Sequence, residues 1–143
     1  MEFSIDAINE DDFEELNILF REFADFENVA DKMTNTLMQM KQEKEFIRGF
    51  TAKNNNGDTI GYATYFFSYH TFVGKCLYMD DLYIRPVYRG NGLGTLLINR
   101  IIAFAKEQKC NCLRWQVSNW NERAITFYEK LGGKIDRTEM NVN

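Results

Sequence analysis

The chain is poor in proline, histidine and cysteine, with one, one and three of each among 143 residues. One proline and no Ser/Pro-rich tract leave no place for a collagen-like stretch or a long interdomain linker. Cys76, Cys110 and Cys112 form an odd set without CxxC spacing. That excludes a zinc ribbon and predicts reduced thiols and small buried residues, not a disulfide frame or redox pair. His70 has no second His or Cys at ligand spacing, so no metal site is expected. No apolar run approaches the roughly 20 residues of a bilayer span, and Met1–Asp6 has neither a basic nor an apolar leader. These absences predict a cytoplasmic protein with no membrane partner. Net charge is −4, a deficit of basic residues that argues against nucleic acid.

Hydrophobic residues make up 45% and aromatics 15%, enough to bury one core in a single domain spanning residues 1–143. Charge is divided along the chain. Residues 1–45 hold 13 acids and four bases, a balance of −9, and the remainder carries +5. Such a division is either a solvated helical face or, once an anion site is found, a cationic partner on one side and an anionic one on the other.

Phe3, Ile5 and Ala7 alternate as a short strand. Asn9 caps an acidic turn, and Phe13, Leu16, Phe20 and Phe23 then follow at helical spacing to about Phe26. A second helix is predicted over 35–44 with Thr34 as its cap. Strands over 47–53 and 59–69 flank an Asn-Gly turn and form a hairpin. A strand over 75–85 ends at Pro86, and helix 93–108, strand 112–117, helix 121–131 and a last strand over 134–142 complete the order. The fold class is α+β in three layers, with a mixed, mostly antiparallel central sheet flanked by about four helices.

Arg89-Gly90-Asn91-Gly92-Leu93-Gly94-Thr95 lies between a strand and a helix. A glycine turn in that setting presents backbone N–H groups at a helix N-terminus, a cradle suited to phosphate. It lacks the lysine of a Walker A loop and, coming after a hairpin, the context of a dinucleotide fingerprint. The bland alternative is a tight connector.

The segment from Tyr78 to Gly94 resembles the signature of the GNAT superfamily of acetyl-CoA-dependent N-acetyltransferases. Their loop reads Arg/Gln-x-x-Gly-x-Gly/Ala, matched by Arg89, Gly92 and Gly94. Asn121, Ala124, Phe127, Tyr128 and Gly132 resemble the second family element. Gly74-Lys75, Leu77–Ile84, Tyr88–Gly90 and Arg21–Glu27 are similar to the spermidine/spermine and thialysine branch.

This resemblance implies a splayed strand pair at the acetyl-CoA site and transfer of acetyl to a primary amine of a small cationic acceptor, polyamine or thialysine-like. An antibiotic, amino-acid or protein amine, or a silent acyl-CoA sensor, are the alternatives. It further implies that Leu82, Tyr83 and Ile84 bond the pantetheine arm and that Arg89, Gly90, Asn91, Gly92, Leu93, Gly94 and Thr95 hold the pyrophosphate. Asn121, Glu122, Ala124 and Tyr128 would line the cofactor, with Tyr128 the general acid. Phe26, Glu27, Asp80 and Trp115, within Arg114–Gln116, would meet the acceptor. A homodimer is the expected assembly. Asp80 and Asp81 interrupt an apolar strand, and since neighbours in a strand face opposite ways, one of the two should reach the functional face. Asp80 is the expected charge partner and proton relay.

Overall fold

In the computed structural model, residues 2–136 are described. Five strands lie in chain order: β1 (Ser4–Ala7), β2 (Arg48–Lys53), β3 (Thr59–His70), β4 (Gly74–Ile84) and β5 (Cys112–Trp115). The first four pair antiparallel, and β4 pairs parallel with β5. Helices α1 (Phe13–Phe26), α2 (Leu37–Gln42), α3 (Leu93–Glu107) and α4 (Glu122–Lys130) complete the expected α+β architecture.

Each layer follows from patterning. On α1, Phe13, Leu16 and Leu19 are buried and pack with Met40, Tyr62 and Tyr83 on one face of the sheet. On α3, Leu93, Leu97, Ile98 and Ile101 are buried against Phe50, Ala52, Tyr65, Leu77 and Met79 on the other face. Asn9 accepts from the Asp11 amide, and Asp12 returns a carboxylate to the Asn9 amide at 2.9 Å, closing a capping box. The second helix is shorter than its pattern predicts. It begins after Thr36, whose hydroxyl accepts from the Gln39 amide at 3.1 Å, so Thr36 and not Thr34 is the cap. Lys134–Asp136 are not strand, and the rest of the predicted last strand lies outside the described residues.

The cysteine expectation is overturned. Cys76 and Cys112 are joined by a disulfide across β4 and β5, and Cys110 alone is free. The parallel register sets Cys76 directly opposite Cys112, with Cα atoms 4.8 Å apart, inside the span a disulfide bridges. Spacing along the chain cannot show this, because the partners lie 36 residues apart.

Candidate active site

Pairing of β4 with β5 ends at Met79 and Trp115, while β4 runs on to Ile84. Past that point the strands part, as the expected splay requires. A cleft of about 2060 Å³ opens there, and its wall includes Asp80–Ile84, most of the glycine turn, Trp115 and the inner face of α4. The Arg85 amide donates to Ile60, and the Ile84 carbonyl accepts from Arg89 Nε at 2.8 Å. In an antiparallel pair, backbone groups of alternate residues face opposite neighbours. Leu82 and Ile84 therefore turn their N–H and C=O groups to the gap, and Tyr83 turns its own to β3. Of the three residues expected to bond a pantetheine arm, Leu82 and Ile84 are oriented to do so.

Gly90 and Gly92 take φ of +84° and +78°, a region glycine occupies freely. A Cβ at either would meet no protein atom within 4 Å, so both face open space. Gly92 is the N-cap of α3 and no side chain caps it, which leaves the first-turn amides of α3 available to an anion. Gly94 is different, because a Cβ there would stand 3.4 Å from the Phe127 ring. A side chain there would be in van der Waals contact with α4. Arg89 lies over the rings of Phe26 and Tyr83, at 4.9 and 5.6 Å. Asn91 donates to the Tyr88 carbonyl, bracing the turn, and Asn91 and Glu122 stand outside the cleft wall. Asn121 caps α4 through the Ala124 amide.

The register of β3 and β4 slips by one residue: Thr64 faces Asp81 and Tyr65 faces Met79, leaving Asp80 as the extra residue of a bulge. The expectation that one of Asp80 and Asp81 reaches the functional face rests on strict alternation, which does not hold at this bulge. Both aspartates line the cleft.

Asp81 lies deeper than Asp80 and accepts a hydrogen bond from the Tyr62 hydroxyl at 3.2 Å. Burial, then the charges of Asp80 and Glu27, push its carboxyl up to about 7 against the pull of that hydrogen bond. Desolvation raises Asp80 as well. Tyr128 is buried beside Trp115, ring centroids 5.1 Å apart. Burial first, and then the charges of Asp81 and Glu27, push its phenol to about 12. Glu27 accepts from the Ser118 hydroxyl at 2.7 Å, which pins the end of α1 to the segment before α4. Asp81, Glu27 and Tyr128, from three elements, thus bear on one another electrostatically. Asp81, beside the expected Asp80, is the more perturbed carboxyl of the two. The pair was visible in sequence, and its relative depth was not.

The model of the acetyltransferase (GNAT) family matches residues 9–133. The chain belongs to this family. It is accordingly an acyltransferase of the GNAT type, whose family co-substrate is acetyl-CoA. A thialysine N-epsilon-acetyltransferase from Bos taurus is 33% identical over 132 residues, covering 85% of this chain and 77% of that protein. Its Caenorhabditis elegans counterpart is 32% identical, covering 90% and 81%. A Homo sapiens spermidine/spermine N(1)-acetyltransferase-like protein is 30% identical over 85% of this chain and 19% of its own length. Among solved structures, a Trypanosoma brucei acetyltransferase superposes with TM-score 0.80 at 19% identity over 99% of both chains, which speaks to the fold. No described helix is long and apolar enough to cross a membrane, and no metal-ligating cluster occurs among the described residues.

Proposed function

We propose that this GNAT enzyme acetylates a primary amine of a small cationic acceptor, polyamine or thialysine-like. The supporting observation is the set of three carboxyl groups, Asp80, Asp81 and Glu27, lining the same cleft as Tyr128 and the gap-facing edge of β4. An ammonium group placed at these three carboxyl groups has its charge matched, and a neutral or anionic group placed there does not.

Acetyl-CoA supplies an activated acetyl group; the chain's residues do the rest. First-turn amides of α3 and the Gly90–Gly92 backbone hold the pyrophosphate. Backbone groups of Leu82 and Ile84 bind the pantetheine arm as an added strand, and an N–H from this edge stabilises negative charge on the thioester oxygen. Asp81, with its carboxyl near 7, accepts a proton from the ammonium. The freed nitrogen lone pair forms the new C–N bond as the C–S bond breaks. Tyr128, held protonated by its high pKa, gives its proton to the departing thiolate and takes back the second proton of the new amide nitrogen. Asp80 and Glu27 serve as charge partners, and Phe26 and Trp115 as apolar walls. An acceptor that also bears a carboxylate finds Lys32 on the same wall.

A panel of diamines, basic amino acids and neutral amines, assayed with acetyl-CoA by release of free thiol, tests this reading. Turnover should favour acceptors with two cationic groups. Equal or better turnover of neutral amines would overturn it.

A further inference from the structure

Glu22 lies outside the chemistry just described, yet its carboxylate takes three hydrogen bonds from β4 and the residue after it. The Tyr83 hydroxyl donates to Oε1 at 3.1 Å, Arg85 Nε donates to Oε1 at 3.3 Å and Arg85 Nη2 to Oε2 at 2.9 Å. A guanidinium gripping both carboxylate oxygens fixes orientation as well as distance. Phe23, the next residue, stacks on Tyr83 with centroids 5.3 Å apart.

Each end of this clasp has a functional neighbour. Tyr83 stands between Leu82 and Ile84, whose backbone groups face the gap. Glu22 is four residues before Phe26 and five before Glu27, so the last turn of α1 carries both acceptor-side residues from this anchor. The Phe26 ring, on the cleft wall, lies 4.9 Å from the Arg89 guanidinium and 5.8 Å from the Trp120 ring. Ser118 holds Glu27. The wall that meets the amine is therefore tied to the strand that meets the cofactor by the hydrogen-bonded Glu22 carboxylate, beside the ring contacts of Phe23 with Tyr83 and of Arg89 with Phe26 and Tyr83.

We infer that Glu22 is a positioning residue that couples the cofactor strand to the acceptor wall, so that occupation of the β4 edge orders the last turn of α1 and sets Phe26 and Glu27 for the amine. This inference rests on the proposed reaction. Without Glu22 the cofactor site keeps its glycine turn and strand edge, and the acceptor wall loses its register.

The test uses Glu22→Ala, with Glu22→Gln as a milder variant that keeps the acceptor oxygen and loses the charge. In steady state, the amine KM should rise about tenfold or more in Glu22→Ala and less in Glu22→Gln, with acetyl-CoA affinity held within about twofold. In hydrogen exchange, acetyl-CoA should protect the backbone of residues 23–28 in the wild-type chain and fail to do so in Glu22→Ala. A lowered melting temperature with amine KM and exchange coupling both intact would reduce Glu22 to a structural residue and overturn the inference. So would protection of 23–28 that persists in both variants. If the wild-type chain acetylated no amine, the proposed reaction would fall, and the exchange arm would still decide the coupling.

Discussion

The Tyr62 hydroxyl lies 3.2 Å from Asp81 Oδ2, so a fully buried phenol on β3 donates to the carboxylate beside the β4 bulge. The hydrogen bond favours the ionised carboxylate, and burial with two neighbouring acids opposes it more strongly. A carboxyl near 7 results, half-ionised at the pH where an amine has to be deprotonated.

A pH profile reads this directly. The kcat/KM for an amine should rise with pH through an apparent pKa of about 7, and Asp81→Asn should remove that limb and lower kcat. The same shift has a sign for stability. The folded state holds the Asp81 proton to about 7 and the unfolded chain releases it near 4, so this group's contribution falls as pH rises between them. Asp81→Asn should flatten that part of the curve, measured by denaturant unfolding at stepped pH.

Tyr128→Phe should lower kcat by about 10²–10⁴-fold while leaving acetyl-CoA affinity nearly unchanged, as loss of a general acid does. Stopped turnover with calorimetric binding separates the two. A variant with wild-type kcat would leave the phenol a packing partner of Trp115 only.

Gly92 and Gly94 should part company. Gly92→Val forces a branched side chain to φ near +78° and into the open space before α3, so acetyl-CoA affinity should fall. Gly94→Val presses on Phe127 and should show first as a lower melting temperature. Binding isotherms and thermal unfolding of the two single variants check the contrast.

Thiol alkylation of the denatured chain should label one cysteine without reductant and three after reduction, because Cys76 and Cys112 are bonded and Cys110 is free. Mass spectrometry should assign the first label to Cys110.

Ionic strength offers a last check on the acceptor. Attraction between a dication and the carboxyl groups of Glu27, Asp80 and Asp81 is screened over about 8 Å near physiological salt. The kcat/KM for a diamine should therefore fall with added salt more steeply than for a monoamine.

What the sequence by itself determined is local. Apolar periodicity placed four helices and five of the six expected strands, Asn9 was legible as a cap, and the glycine turn stood out between strand and helix. The ordered pair of motifs around Arg89 and Tyr128 carried the family. These features were legible because they are written in residues a few positions apart, where backbone preference and side-chain spacing act directly. Three things were decided only by tertiary structure. Strand register joined Cys76 to Cys112. Alternation broke at the Asp80 bulge, and both aspartates line one cleft, Asp81 the deeper. Glu22 found Tyr83 and Arg85 across more than 60 residues. Each depends on which strand lies beside which, and on how much water the neighbours exclude. Those quantities come into being only when the sheet is assembled.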